Sequence, residues 1–321
     1  MKKYVFLSII ISVSILMACS NSNVENTKKE VTASIAQSTI TKAPPTFEKK
    51  PKKELSENFK KYWYAGKAEI SSYQLEQARY GEIRKGSAVL IYVTEDFLAK
   101  QQVKADRQNA DNIPVLKLNA TKKFNTGIYP YSIMQSTFYP VADNQHAVKV
   151  SSSMQEWCGH VYSQLNNREQ FEISSHSYFE NEADQNFKLD KTLLENEVWT
   201  KIRISPNNLP QGAINIIPSF EFCRLKHKEV KAYNATASIK KGTDSNTYTI
   251  EYPTLERTIR ITFSNVFPYT IESWTETFKS GFGKNAKKLT TKATKIKSIN
   301  SDYWSKNRNE DEVLRKELNL K

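Results

Sequence analysis

The sequence predicts a mainly β protein: a large antiparallel meander, barrel-like or a curved sandwich, with one inserted helix and a short C-terminal helix. Three observations predict it. From Tyr62 onward about a dozen short segments rich in Val, Ile, Thr, Tyr and Phe follow one another between turn residues. Several alternate strictly. In Thr247-Tyr248-Thr249-Ile250-Glu251-Tyr252 the even positions are apolar, and Ile259, Ile261 and Phe263 share one face with Arg257 while Thr258, Arg260 and Thr262 share the other. One buried and one wet face is the habit of antiparallel sheets. The connections are short and no internal repeat is evident, which favours a meander that curls on itself.

The chain opens on a targeting segment. Lys2 and Lys3 precede an apolar run, Val5 to Met17, of about 13 residues, too short for a hydrocarbon core that needs roughly 20. Leu16-Met17-Ala18-Cys19 closes it in the manner of a bacterial lipobox. Residues 1–18 are therefore expected to be a lipoprotein signal peptide, with Cys19 acylated by palmitate-type chains. Each buried methylene contributes about 0.8 kcal/mol, so several chains hold a protein without any span. Ser20 follows the cysteine where an aspartate would suggest inner-membrane retention, so the expected location is the outer membrane, facing the periplasm.

Residues 19–55 read as a disordered tether: Phe47 is their only aromatic residue, and Pro44, Pro45 and Pro51 interrupt a Ser-, Thr-, Asn- and Lys-rich stretch. A single β-rich domain is expected over 56–305. Its strand-like segments run from Lys67 to Gln77, Ser87 to Glu95, Pro114 to Phe124, Tyr129 to Val141, Ala147 to Trp157, His160 to Leu165 and Phe171 to Phe179. They resume at Ala213 to Leu225, Val230 to Lys240, Thr247 to Tyr252, Arg257 to Phe263, Tyr269 to Phe278 and Lys287 to Ile299. Tyr80-Gly81, Asn166-Asn167 and Ser264-Asn265 mark turns among them. Between the two groups, Asp190 is expected to cap a helix to about Arg203, with Leu194, Val198 and Ile202 on one stripe, lying over a sheet edge or barrel end. Residues 306–321 form the C-terminal helix, capped by Asn309, with Leu314 and Leu318 as a thin apolar stripe.

The formal net charge is +13, or +11 without Lys2 and Lys3. Lysine dominates and is spread along the chain, as on a solvated surface; contact with anionic head groups is the sharper reading. An exported lipoprotein is not expected to bind nucleic acid. A membrane-spanning barrel is disfavoured, because lysines on both strand faces would each cost about 2–4 kcal/mol near the midplane.

With Cys19 assigned to lipid, Cys158 and Cys223 remain. They are either a disulfide closing roughly 65 residues, worth about 4 kcal/mol in a chain-entropy account, or two buried free thiols. The densest chemistry is Gln155-Glu156-Trp157-Cys158-Gly159-His160. In a strand, Glu156, Cys158 and His160 would share a face, offering a nucleophile and a base; packing in the core is the plainer reading. One Cys and one His fall short of the three or four ligands of a zinc site, so no metal and no cofactor is expected. A hairpin centred on Asn166-Asn167 would place His160 opposite Ile173 rather than His176. Ser280-Gly281-Phe282-Gly283-Lys284 lacks phosphate-loop spacing and reads as a turn. The acid-free run containing Lys284, Lys287, Lys288, Lys292, Lys295 and Lys297 reads as a guarded edge strand. Trp63, Tyr64, Trp274, Tyr303 and Trp304 are expected to pack at barrel ends.

From about Trp63 to its end the chain resembles a group of uncharacterised lipoproteins of the Bacteroidota. The stretches that carry this are Tyr64-Ala65-Gly66-Lys67-Ala68-Glu69-Ile70, Lys122 to Tyr131, Glu156-Trp157-Cys158-Gly159-His160 and Ser280-Gly281-Phe282-Gly283. Some members of that group carry the label of Maf septum formation inhibitor, a cytosolic α/β nucleotide pyrophosphatase family with an early Ser-x-Arg-Arg loop. This chain has neither that loop nor α/β alternation. The resemblance implies a lipoprotein of the cell envelope and no catalytic residue. The expected partners are the membrane, through the lipid anchor, and a lipid or small apolar ligand or an envelope protein. The alternative is an envelope enzyme using the Glu156, Cys158 and His160 cluster.

Overall fold

The computed structural model describes residues 54–143 and 145–320. The signal segment, Cys19 and the tether as far as residue 53 lie outside the described residues. Sixteen strands form one sheet. They are β1 (Ala68–Arg79), β2 (Glu82–Leu98), β3 (Val103–Lys104), β4 (Asn112–Thr126), β5 (Tyr129–Pro140), β6 (Lys149–Glu156), β7 (Gly159–Asn167) and β8 (Phe171–Ser177), followed by β9 (Gln185–Leu189), β10 (Leu193–Leu194), β11 (Gly212–Ile217), β12 (Tyr233–Lys240), β13 (Ser245–Tyr252), β14 (Arg257–Ser264), β15 (Ile271–Ser280) and β16 (Lys287–Ser301). The α-helices are α1 (Glu57–Trp63), α2 (Glu195–Ile204), α3 (Phe220–Leu225) and α4 (Val313–Glu317). The expected mainly β meander with an inserted helix is the observed fold.

The first and last strands pair, Ala68 with Ser301 through Glu76 with Lys292, so the two halves of the meander join in the middle of the sheet. All neighbours are antiparallel except β10 and β11. The sheet does not close: β9 ends one arm and β10 the other. Between those arms the chain leaves the sheet and forms α2, and the sheet wraps around it. Tyr92 of β2 donates to the Trp199 carbonyl at 3.2 Å, and Asn196 donates to Gln135 of β5 at 3.0 Å. On the other arm, Trp199 meets Trp274 of β15 edge-on at 5.3 Å.

Leu194, Val198 and Ile202 are buried, as their four-residue spacing predicts. The helix starts at Glu195 rather than after Asp190, because Leu193 and Leu194 pair with Ile216 and Ile217. Asp190 instead accepts from Gln170. The segment from Ala213 to Leu225, expected as one strand, is a strand followed by α3. Ser219 caps that helix, its hydroxyl accepting from the Phe222 N–H at 3.2 Å.

The lysine-rich β16 is a correction of another kind. It is central, flanked by β15 and β1, and its lysines are solvated on a strand paired at both edges. Strand alternation reveals faces but not order, so the pairing of chain ends was not legible. The hairpin after β7 turns through Arg168-Glu169-Gln170, with Asn167 opposite Phe171, so His176 faces Tyr162 rather than any histidine. On the outer face α4 is followed by Leu318, which packs with Ala68, Ile70 and Val93. Trp63 and Trp274 are core residues, whereas Tyr64 and Trp304 are largely exposed. Among the described residues no helix is long and apolar enough to cross a membrane.

Candidate functional site

The Glu156, Cys158 and His160 cluster does not converge. β6 and β7 meet in a tight hairpin, Gln155 opposite His160 and Glu156 opposite Gly159, with Trp157 and Cys158 at the tip. Glu156 therefore faces inward, beside Arg79, Tyr131 and Arg224, whereas His160 is on the outer face and exposed. The same-face expectation fails because a turn, not a strand, runs through these residues. Cys158 is exposed and Cys223 buried, and both thiols are free. The disulfide reading is thereby corrected: one cysteine lies on a hairpin tip and the other in α3, not on neighbouring strands. Cys223 donates weakly to the Pro218 and Glu229 carbonyls, and burial pushes its thiol up to about 12. A thiol held so far above neutrality is a poor nucleophile. Among the described residues no three His, Cys, Asp or Glu side chains are grouped to hold a metal ion.

The polar groups that do converge lie inside the sheet, against α2. Glu195 binds Arg257 through both carboxylate oxygens, one at 2.7 Å, and accepts from Tyr252 at 2.7 Å. Arg257 continues to Glu276 at 2.6 Å. At the helix C-terminus Arg203 binds Glu69 bidentately at 2.7 and 2.6 Å, its guanidinium 5.0 Å from the Trp63 ring and 4.5 Å from the Tyr92 ring. Burial alone would raise both carboxyls. The guanidinium charge and hydrogen bonds outweigh it and hold Glu195 and Glu69 below their usual value. Glu221 of α3, bonded to Lys122 at 2.6 Å and Gln135 at 3.0 Å, is raised, because burial there exceeds the pull of Lys122. Glu195, Arg257, Glu276, Glu221, Lys122 and Gln135 line a cavity of about 50 Å³, room for a few waters. Their charges are answered by one another, which makes this network the fastening of α2 and α3 rather than a binding site.

The larger space lies where the sheet fails to close. A groove of about 480 Å³ runs between β7, β8 and β9 on one side and α3 with its following loop on the other. That volume is within the range of small-molecule sites, roughly 300–1,000 Å³. Val161, Ile173, Phe187 and Leu189 face Phe220 and Val230 across it, with Ser163, Ser175 and Gln185 on the strand wall among them. A charged cluster stands at one margin. Glu182 accepts from Arg224 Nη1 and contacts His227 Nδ1, both at 3.0 Å. Arg224 lies over the Phe179 ring at 4.0 Å. Lys228, also lining the groove, is exposed and forms no ion pair among the described residues.

Sequence reasoning missed this site. It requires β9 and α3, neither of which was expected, and it joins residues far apart in the chain. The Pro218-Ser219 pair ahead of Phe220 was the available signal, since it marks a helix start. Neither a protein-family model nor a curated protein nor a solved structure matches the chain.

Proposed function

We propose that this chain is a lipid-anchored envelope protein, held by acylated Cys19 on the periplasmic side of the outer membrane, which binds a small apolar or amphipathic ligand in the groove between β7–β9 and α3. The observation that carries the reading is the groove itself: six apolar side chains, four from β7–β9 and two from α3 and its loop, face each other across a space of about 480 Å³, with Glu182, Arg224, His227 and Lys228 at its margin. That division suits a molecule with an apolar body and a polar end.

Native mass spectrometry on the mature chain isolated from envelopes tests it. The expected result is a mass above that of the chain, lost on denaturation in organic solvent, and reduced by Phe187→Asp, which puts a charge on the groove wall. A bare mass, with no uptake from a mixture of envelope lipids, would overturn the ligand reading. The anchor is tested separately: Cys19→Ser is expected to move the protein from the membrane fraction to the soluble one.

A further inference from the structure

Five hairpin tips stand side by side at one end of the sheet. Because neighbouring strands are antiparallel, the β15–β16, β1–β2, β4–β5, β6–β7 and β8–β9 turns all fall at that end, with the β13–β14 turn, which exposes no large apolar side chain, beyond the first of them. Contacts along the row bear this out. Gly81 and Gly281 pack so closely that a Cβ on Gly281 would lie 3.2 Å from the Gly81 Cα. The Tyr80 and Phe282 rings are 6.1 Å apart. Tyr80 shares a 2.9 Å hydrogen bond with Tyr131, near the base of the third tip. Gly159 of the fourth rests against the Tyr178 side chain of the fifth.

Four of the five tips present a large apolar side chain to solvent: Phe282 is 65% exposed, Ile128 83%, Trp157 68% and Tyr178 72%. Strands lie about 4.8 Å apart, so successive tips are roughly 10 Å apart and the row is about 40 Å long before curvature. The opposite end exposes Tyr64 before β1 (45%), Trp304 after β16 (52%), Val103 of β3 (47%) and Val266 of the β14–β15 loop (66%), so of these four only Val266 matches the exposure of the four tips. The apolar row is flanked by cations. Lys279, Lys284, Lys287 and Lys288 surround the first tip, Lys85 follows the second and Lys123 precedes the third. All six are exposed, and none is in an ion pair among the described residues. The acids of this end are mostly answered: Glu82 of the second tip pairs with Arg84 at 2.7 Å, Glu182 of the fifth is engaged by Arg224 and His227, and Asp184 by His176 at 3.2 Å, while Glu180 and, on the β13–β14 turn, Glu256 are exposed.

We infer that this end of the protein docks on an anionic bilayer surface. Ile128, Trp157, Tyr178 and Phe282 enter the interface, where aromatic side chains are favoured, and the lysines lie over head-group phosphates. Each lysine near such a surface is worth roughly a fivefold gain in binding. A protein surface is the weaker match, because exposed lysine is depleted at protein interfaces while lipid phosphate attracts it. The inference does not require an occupied groove. It adds that Asn181 and Glu182, on the fifth tip, also line the groove, so one margin of that space would be held next to the lipid.

Cys158 makes the test direct, since its thiol is exposed on the same tip as Trp157. The whole mature chain from Ser20, without acyl chains, is labelled there with an environment-sensitive fluorophore. It is then titrated with vesicles of phosphatidylcholine alone or mixed with phosphatidylglycerol. The expected result is blue-shifted emission with the anionic vesicles and little change with the neutral ones. The double variant Trp157→Ser with Phe282→Ser should weaken anionic-vesicle binding at least about tenfold, and Lys284→Gln with Lys287→Gln and Lys288→Gln should abolish the preference for the anionic lipid. Unchanged thermal unfolding of these exposed-tip variants shows that the fold persists. Aqueous emission with every vesicle, or equal binding by wild type and both variants, would overturn the inference. So would photocrosslinking from position 158 in envelopes that captures a protein and no lipid.

Discussion

Arg257 and Glu195 meet where neither could stay charged alone, since both side chains are buried. Removing one partner of such a pair costs about 3–5 kcal/mol, because the other is left uncompensated. Glu195→Gln should therefore lower stability by that order at neutral pH, measured by denaturant unfolding, while Glu276 retains part of the Arg257 charge. The pH dependence follows from the sign of the shift. Glu195 and Glu69 are depressed in the folded state, so the stability they contribute is present above the unfolded carboxyl value of about 4.3. It is lost as pH falls through the lower folded value. The gap between wild type and Glu195→Gln should thus narrow as pH falls below about 4; a gap of constant size would show that Glu195 is not ionised in the folded protein. The cysteines give a second residue-scale outcome. Alkylation of the native mature protein should modify Cys158 alone, with Cys223 reacting only after unfolding, because one thiol is exposed and the other is buried and pushed up to about 12. Native modification of both would contradict the packing of α3.

Elements were legible where a period did the work. β13 and β14 alternate as read, and α2 buries the stripe its spacing announced. Its charges told less. Glu195, Glu197 and Arg203 suit the helix dipole, which is how a solvated helix would also use them, yet all three are buried against the sheet. Burial of a charged side chain depends on a partner from a distant strand, Glu69 or Arg257, and no local pattern supplies that. Short elements were lost for a related reason. α1 has a Ser56 cap and Phe59 and Trp63 four residues apart, a signal present but only two turns long. β9 and β10 take their conformation from pairing with β8 and β11 rather than from propensity. The thin apolar stripe of the C-terminal segment is informative: Leu318 is buried in the outer cluster with Ala68, Ile70 and Val93, and Leu320 packs against it. Leu318→Ala should cost about 2 kcal/mol, at the low end for a buried leucine because the site is at the surface and can relax. Thermal unfolding measures it, and no loss would mean that the segment after β16 does not hold that face.

At the scale of the whole molecule, the decisive feature is the gap between β9 and β10. A meander of this length could close into a barrel. Here the chain turns inward after β9, α2 takes the interior, and α3 joins it there, touching β4 and β5 through Glu221 and β15 through Phe222. The sequence showed the helix interrupting the strand series but not that the interruption would sit inside the curve, because strand order depends on the pairing of β1 with β16 across more than two hundred residues. One consequence is a gradient of stability across a single sheet. β1 is paired on both edges and buried on both faces for most of its length, whereas β9 is paired on one edge and largely exposed. Opening of β9 exposes little apolar surface, so it should need far less free energy than global unfolding. Hydrogen exchange followed by mass spectrometry should find β1, β2 and β16 slowest and β9 with the residue 178–184 loop fastest among the hairpins. If the groove holds a ligand, adding it should slow exchange in 171–189 and 220–230 while leaving β1 unchanged, since those two segments form its walls. Protection that rises equally everywhere would point instead to global stabilisation by a site elsewhere. Exchange that is uniform from the start would mean that the two arms of the open sheet are fastened to each other more firmly than β9's single pairing implies.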